Sequence, residues 1–412
     1  MRISQRSFNL VLVATTVAGF LLSSATARAA IHAALFGVNI DSTGAGISGA
    51  TASAQTSAPP NYVLLWSDTF SNGVINQALW NYRSDTKALS AQLPANVSVT
   101  SGGHLNISLL KQNFAGQAYT GGGIVSKEQF RYAYYEVQSK VTANPGWHAS
   151  FWLEAGDGRT TYDPSSHTEI DAYEIDSDVP TSISAGLLEW SDAKSVGSTR
   201  CNAHYHPGFS TADGYHTYGV EWTEQRVTYY LDEKPFCTQS YPPTAHPHDL
   251  VNIWLTTIGY KSDISVANNP SPNLFANLRV YIRDYYVRNG ETGYAEYGSG
   301  WKNSSLLGYS NLGSRYSLSK NAFATWTPTI LAQGKYDVQL YKVAHANSDH
   351  CEKVTVNYAG GLSTQMIDFT TGPDGWVDLG IFPFVVGSSG FVQVASSCTG
   401  ALRANIVKFL RK

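Results

Sequence analysis

The chain has 412 residues, of which 43% are hydrophobic, 14% charged and 12% aromatic. This length favours two domains and allows a hydrophobic core large enough to be stable without disulfides or bound metals. Few charges together with 25 Tyr, 10 Trp and 36 Gly are typical of β-rich extracellular proteins. The formal net charge is −3 and no basic run occurs, which argues against a nucleic-acid partner.

The N-terminus has the pattern of a secretory signal peptide. Arg2 and Arg6 precede an apolar stretch over residues 8–22, and an A-x-A-type cleavage site follows at residues 27–29. A transmembrane anchor is the alternative, but the stretch is short and contains polar residues. We therefore expect residues 1–29 to be removed. The mature protein is expected to be secreted or periplasmic, without a membrane partner.

The four cysteines are Cys201, Cys237, Cys351 and Cys398, which allow three disulfide pairings. Export permits disulfides, and no C-x-x-C spacing indicates a zinc site. If a domain boundary lies near residue 290, pairing Cys201 with Cys237 and Cys351 with Cys398 keeps each bridge within one domain. We prefer that pairing.

Composition divides the rest of the chain into three parts. Residues 30–61 are rich in Ala, Ser, Thr and Gly and nearly uncharged, which predicts a flexible leader. Residues 62–290 contain short runs of period two and no long helical stretch, which predicts a large sandwich of two β-sheets. Further short strands over residues 291–412 predict a second, smaller β-sandwich. The fold class is therefore all-β.

Two local features of the first sandwich can be interpreted from their residues. The aromatic run over residues 279–288 is predicted to form one strand. Gly121, Gly122 and Gly123 lack the Lys-Ser/Thr of a phosphate-binding loop, so a bulge or tight turn is expected there.

The segment most informative about chemistry is E-I-D-A-Y-E at residues 169–174. In a regular strand Glu169 and Asp171 share a face, and a bulge between Asp171 and Glu174 would bring Glu174 to the same face. Like charges disfavour ionisation, so a protonated carboxyl would lie beside an ionised one, as two-carboxylate glycoside hydrolysis requires. The alternative is a solvent-facing acidic edge strand.

This segment matches every fixed position of E-[ILV]-D-x-x-E, and here the chain resembles glycoside hydrolase family 16, which includes laminarinases, agarases and carrageenases. Residues 146–153 resemble the family's W-x-A-x-W strand, and residues 216–222 resemble its H-x-Y-x-x-E-W strand. Further similar segments, in the family's order, are residues 66–70, 119–126, 130–140 and 282–288. The resemblance covers about residues 62–288 and implies a concanavalin-like β-jelly roll whose concave sheet forms the cleft.

The resemblance implies an endo-acting, retaining β-glycoside hydrolase that cleaves a β-linked polysaccharide of the β-1,3-glucan or β-galactan type. It assigns Glu169 as the nucleophile, Glu174 as the acid and then base, and Asp171 as the carboxylate that tunes both. No cofactor is required, and we expect a monomer whose partner is the polysaccharide. A glycan-remodelling transglycosylase and a non-catalytic lectin-like binder on the same fold are the alternatives.

Four residues are candidates for substrate binding. Trp147, Trp152 and Trp190 could stack on sugar faces, since flat rings offer apolar area with modest entropy loss, and core packing is the alternative for each. His148 stands where laminarinases and agarases usually have Pro. A histidine that many members carry near Leu188 is missing.

Relatives also often hold a structural Ca²⁺ on the convex face. Asp68 and Asp284 are the candidate ligands that the resemblance suggests, because Ca²⁺ prefers oxygen ligands. No catalytic metal is predicted.

The C-terminal region, residues 291–412, resembles the golvesin-type β-sandwich that is often appended to extracellular enzymes. The similar segments are residues 308–309, 315–317, 324–328 and 334–338. Carbohydrate binding and a stabilising or spacing role are equally open. Trp301 and Trp376 are the candidate sugar-facing rings, and core packing is the alternative for each.

Overall fold

The computed structural model describes residues 58–159, 168–191, 194–201, 204–240, 250–260 and 271–412. The predicted signal peptide and most of the predicted leader lie outside the described residues. Within these ranges the regular structure is β-strand apart from two short 3₁₀ helices, Pro94–Asn96 and Tyr309–Asn311. No helix of the described segments is long and apolar enough to cross a membrane.

The first part of the chain contributes seventeen described strands. In chain order they are β1 (Val63–Asp68), β2 (Trp80–Tyr82), β3 (Thr86–Lys87), β4 (Ser90–Gln92), β5 (Val97–Val99), β6 (Leu105–Leu109), β7 (Tyr119–Ser126), β8 (Tyr134–Lys140), β9 (Trp147–Glu154), β10 (Thr168–Asp176), β11 (Ser184–Ser191), β12 (Lys194–Arg200), β13 (His216–Trp222), β14 (Arg226–Leu231), β15 (Lys234–Ser240), β16 (Asn252–Gly259) and β17 (Ser271–Ile282).

These strands form two sheets. The eight-stranded sheet has the order β15-β14-β13-β8-β17-β6-β5, with β1 also paired to β17. The nine-stranded sheet has the order β12-β11-β10-β9-β16-β7-β4-β3, with β2 also paired to β7. Pairing is antiparallel among the described strands except between β4 and β7. The two sheets form the predicted β-jelly roll.

Side chains of alternate residues hold the two sheets together. Ile170, Tyr173 and Ile175 of β10 are fully buried, and Tyr173 and Ile175 show the period of two expected for one face of a strand. The Tyr173 hydroxyl donates a hydrogen bond to Ser139 Oγ on β8, at 2.7 Å, and its ring lies 4.2 Å from that of Tyr218. Burying each such side chain contributes roughly 1.5–3 kcal/mol. The inner face of β10 is therefore fixed, and so is the direction of its outer face.

The glycine triplet differs from the prediction. Gly121, Gly122 and Gly123 lie inside β7 rather than in a bulge or turn. A Cβ on Gly121 would lie 2.3 Å from the carbonyl oxygen of Thr257 on β16, and one on Gly122 would lie 2.9 Å from Val97 Cγ2. These glycines are needed because neighbouring backbone and side chains approach β7 too closely for any side chain.

The C-terminal part of the chain forms three further sheets. Its strands are β18 (Tyr285–Arg288), β19 (Tyr294–Tyr297), β20 (Lys302–Leu307), β21 (Gly313–Ser317), β22 (Phe323–Trp326), β23 (Gly334–Lys342), β24 (Glu352–Tyr358), β25 (Gly361–Ile367), β26 (Gly375–Phe384), β27 (Phe391–Ala395), β28 (Leu402–Ala404) and β29 (Ile406–Arg411). The sheet orders are β18-β29-β23-β26, β19-β22-β27-β24-β25 and β20-β21-β28. The first two sheets share one core, which includes Trp326, Tyr336 and Phe409, and this is the predicted second sandwich.

The single strand predicted over residues 279–288 is divided in two. β17 ends at Ile282, and β18 pairs with β29 in the C-terminal sheet. Asp284 lies between them and accepts hydrogen bonds from the Arg283 guanidinium and from the Arg411 backbone N–H. Both halves of the run carry buried apolar side chains, Val280 and Tyr281 in the first and Tyr285 and Val287 in the second, because each half packs into a different core.

Polar and aromatic contacts join the two parts of the chain. Glu224, just after β13, accepts hydrogen bonds from Lys408 Nζ at 2.7 Å and from the Trp376 indole at 2.9 Å. Trp376 was a candidate sugar-facing ring with core packing as the alternative, and Lys408 Nζ lies 3.9 Å from its ring centroid. Trp301 packs against the C-terminal core and donates its indole N–H to the Tyr297 carbonyl. Both candidate rings therefore have protein partners.

Both preferred disulfide pairings are confirmed. Cys201 is bonded to Cys237, and Cys351 is bonded to Cys398. Cys201 follows β12 at the edge of the nine-stranded sheet, and Cys237 lies in β15 at the edge of the eight-stranded sheet. This bridge therefore ties together the edges of the two sheets.

Candidate active site

β10 contains the predicted β-bulge. Glu169 lies opposite Leu188 of β11 and Asp171 lies opposite Gly186, but Glu174 lies opposite Ser184. Three steps along β10 therefore correspond to two steps along β11. A matching register shift separates β10 from β9 on its other side. An extra residue of this kind changes the face to which all following side chains point.

The bulge places three carboxylates on the outer face of the nine-stranded sheet. Ile170 and Tyr173 point inward, so Glu169, Asp171 and Glu174 point outward. β10 lies between β9 and β11, so the alternative of an acidic edge strand is wrong. Asp171 is only 3% exposed, which sets it apart from an ordinary surface acid.

Glu169 is held by a tryptophan of the next strand. The Trp190 indole Nε1 donates to Glu169 Oε2 at 2.6 Å. Burial raises the pKa of the Glu169 carboxyl; the hydrogen bond from Trp190 opposes this, the charge of Glu174 adds to it, and a hydrogen bond shared with Asp171 opposes it. The pKa stays above its usual value. Two carboxyls that share a hydrogen bond hold at least one proton between them.

His148 on β9 lies between two carboxylates of β10. Its Nε2 lies 3.2 Å from Glu174 Oε1, and its Nδ1 lies 2.9 Å from Asp176 Oδ1. Burial lowers the pKa of His148. Hydrogen bonds to Asp176 and Glu174, together with their negative charges, raise this pKa by more than burial lowers it, to about 9. His148 was predicted to bind substrate, and the structure gives it a direct contact with the predicted acid.

The predicted sugar-stacking tryptophans lie in different places. Trp190 lies on the outer face beside Glu169. Trp152 is directly opposite Asp171 and 6% exposed, and its ring stacks on Trp254 of β16 at 4.5 Å. Its indole N–H donates to Thr256 Oγ1 at 3.2 Å. One face of Trp152 is therefore covered by protein.

Trp147 does not lie in the cleft as predicted. It is 1% exposed and adjacent to His148 on β9, so alternation directs the two side chains to opposite faces. His148 faces the carboxylates, and Trp147 packs in the core between the sheets. The family motif could not reveal this, because it aligns a residue type without giving its direction.

Two residues near the carboxylates were missed by the sequence analysis. Asp176 lies two residues beyond Glu174 and therefore on the same face, which the period of two could have predicted. Tyr260 follows β16, is 50% exposed, and has its ring centroid 5.4 Å from that of His148. No sequence signal linked Tyr260 to this site because β16 was not predicted.

The two candidate calcium ligands already have partners. Asp68 accepts hydrogen bonds from a backbone N–H and from the Trp80 indole, one on each carboxyl oxygen. Asp284 is engaged on both oxygens by Arg283 and Arg411. Since Ca²⁺ needs several free oxygen ligands, these carboxylates do not fit the ion as they are arranged. We derive no role for calcium from them.

Two family models match separate parts of the chain. Residues 85–258 match the family model of glycosyl hydrolases family 16, and residues 285–411 match that of the Golvesin C-terminal domain. Endo-1,3-1,4-beta-glycanase EglC of Rhizobium meliloti (strain 1021) is 29% identical over 177 residues, which are 41% of this chain and 34% of that protein. Beta-glucanase of Acetivibrio thermocellus is 27% identical over 157 residues, 37% of this chain and 43% of that protein.

Kappa-carrageenase of Pseudoalteromonas carrageenovora is 30% identical over 127 residues, 28% of this chain and 32% of that protein. The chain thus spans about a third of the length of curated relatives such as EglC. Among solved structures, SCLam, a non-specific endo-β-1,3(4)-glucanase, is 23% identical with a TM-score of 0.47, and the match covers 55% of this chain and 92% of that one.

Each half of the molecule therefore matches its own family model. The three outward carboxylates lie within the span of the first family model, and the C-terminal sandwich corresponds to the second. The chain therefore carries a glycosyl hydrolases family 16 domain over residues 85–258, followed by a Golvesin C-terminal domain over residues 285–411.

Proposed function

We propose that this chain is a secreted, monomeric, endo-acting and retaining β-glycoside hydrolase. The observation that carries the proposal is the bulge in β10, which puts Glu169, Asp171 and Glu174 on one face within the family 16 domain. The substrate is a β-linked polysaccharide. β-1,3(1,4)-Glucans come first because EglC is named as an endo-1,3-1,4-beta-glycanase and the Acetivibrio enzyme as a beta-glucanase, and β-galactans are the second candidate because a carrageenase is also similar.

In the first step the Glu169 carboxylate attacks the anomeric carbon while the Glu174 carboxylic acid protonates the departing glycosidic oxygen. One C–O bond forms to Glu169, one C–O bond to the leaving sugar breaks, and Glu174 becomes ionised. Asp171 shares a hydrogen bond with Glu169 and so holds the attacking carboxylate in place.

In the second step Glu174 acts as the base. It removes a proton from water, the hydroxide oxygen attacks the anomeric carbon, and Glu169 leaves as a carboxylate, which restores both groups and retains the β configuration. The Trp190 N–H supports this step because a hydrogen bond to an ionised carboxylate stabilises it as a leaving group.

The proposal is tested by incubating the mature protein with laminarin, lichenan, agarose, carrageenan and arabinogalactan, while reducing ends and product lengths are followed. Cleavage of one glycan by the wild type, lost in Glu169→Gln, supports the proposal. Products longer than the substrate would instead indicate a transglycosylase. Saturable binding without any product would indicate a lectin-like binder.

A further inference from the structure

His148 has two carboxylate neighbours, one at each ring nitrogen. Asp176 lies directly opposite it in the pairing of β9 with β10, and Glu174 lies two residues away on the same outer face. The ring is partly buried, with 14% of its side chain exposed. From β16, on the other side of β9, it meets Ile258 across the pair and the ring of Tyr260.

This arrangement favours a proton on each ring nitrogen of His148. A neutral imidazole donates from one nitrogen and accepts at the other, whereas ionised carboxylates only accept. Asp176 Oδ1, at 2.9 Å, and Glu174 Oε1, at 3.2 Å, both accept a hydrogen bond from His148 when each ring nitrogen carries a proton. This is compatible with the acid role of Glu174, because the proton for the first step can lie on its other oxygen. The upward shift of the His148 pKa to about 9 agrees with an imidazolium at neutral pH.

We propose that His148 is a positioning residue for the acid/base carboxyl: as an imidazolium that bridges Asp176 and Glu174, it holds Glu174 toward the cleft and supplies the positive charge beside it. The inference rests on the proposed function, since it gives Glu174 the acid/base role. His148 acts through Glu174 and is assigned no contact with the substrate.

The chemical benefit follows from the charges on β10. Glu169, Asp171, Glu174 and Asp176 all point to one face, and their mutual repulsion favours protonated carboxyls. A cation within hydrogen-bond reach of Glu174 counters this repulsion and makes Glu174 a stronger acid. Asp176 keeps the ring oriented and protonated, as a carboxylate behind a histidine does in other enzyme sites.

The contact itself is tested without any substrate. In the full mature protein labelled with ¹³Cε1-histidine, the His148 resonance is identified by its loss in His148→Gln. We expect its titration midpoint near pH 9 in the wild type and at least about one unit lower in Asp176→Asn, which keeps the side-chain shape but removes the charge. A wild-type midpoint near the ordinary value of about 6.5 would overturn the inference.

The effect on Glu174 is tested by the pH dependence of kcat/KM on whichever glycan the wild type cleaves. Removing the cation in His148→Gln should raise the pKa of Glu174, so the alkaline limb should move up by about one pH unit. His148→Lys, which restores a positive charge, should return the limb toward its wild-type position. A lower rate with an unmoved limb would mean a merely structural role and would overturn the inference.

The two arms separate the two claims. If the wild type cleaves none of the five glycans while His148 titrates near pH 9, the proposed function fails and the bridge stands. If a glycan is cleaved but His148 titrates near its ordinary value, the proposed function stands and the bridge fails.

Discussion

Among the described residues, two glutamates accept an indole N–H, and their other charged neighbours differ. Glu169 of the nine-stranded sheet takes its bond from Trp190 at 2.6 Å, and Glu224 between the two halves takes its bond from Trp376 at 2.9 Å. Glu224 also binds Lys408 Nζ at 2.7 Å, with both side chains about nine-tenths buried. Burial raises the pKa of Glu169, and the negative charge of Glu174 adds to that rise.

The difference separates a carboxylate that is compensated by a cation from the carboxylate to which we assign the catalytic role. A buried carboxylate with a cation in contact is compensated, so Glu224 joins the two halves. A carboxylate whose close neighbours are other acids is held in an unfavourable state, which is the usual signature of a functional site. The same donor, an indole N–H, therefore serves attachment in one place and control of ionisation in the other.

The largest effect is expected from removing each carboxylate charge in turn. Glu169→Gln should lower kcat more than about a thousandfold, because no nucleophile remains, while thermal unfolding changes little. Glu224→Gln should do the opposite: it leaves Lys408 buried without its charge and costs about 3 kcal/mol of unfolding free energy, with kcat nearly intact. The measurements are steady-state kinetics and urea unfolding. Equal losses of activity in the two variants would contradict the distinction.

A smaller effect concerns the pH dependence of stability. The pKa of His148 is about 9 in the folded protein and about 6.5 when unfolded, so its stabilising contribution is complete below pH 6.5 and is lost as pH rises through 9. The contribution amounts to at most about 3 kcal/mol.

The check is urea unfolding of the wild type and His148→Gln between pH 6 and 10. The difference in unfolding free energy between the two should shrink steadily across that window. A difference that stays constant with pH would contradict the account, because it would show that folding does not raise the pKa of His148.

The smallest effect compares the two indole donors. Trp190→Phe removes the bond that lowers the pKa of Glu169, so that pKa rises further and the acid limb of kcat/KM should move up by about one pH unit. Trp376→Phe removes the equivalent bond to Glu224 and should cost about 1.5 kcal/mol of stability, with the pH profile unchanged. A pH profile of kcat/KM that shifts in both variants or in neither would contradict the distinction between the two indole donors.

Much of the site was accessible from the sequence because its cause is local. The spacing of Glu169, Asp171 and Glu174 needs one bulge to share a face, and that bulge is present. The disulfide pairings followed from a boundary near residue 290. The Asp176 position was also accessible, since two residues along a strand return to the same face.

The remainder depends on register, which one sequence does not reveal. The bridge from His148 to Asp176 exists because β9 and β10 pair at those residues. β16 is buried on both faces, so it shows no alternation by which it could be predicted. The family resemblance predicted Trp147 in the cleft. Trp147 and His148 are adjacent in β9, so their side chains point to opposite faces and both cannot face the cleft.

The most direct test of the central claim, that Glu169 carries out a retaining cleavage, is time-resolved ¹H NMR of the anomeric protons released from the glycan that the protein cleaves. The account predicts that the β-anomer is released first and then mutarotates, because two displacements at one carbon restore its configuration. Initial release of the α-anomer would contradict the account, since water would then attack directly and Glu169 could not be the nucleophile.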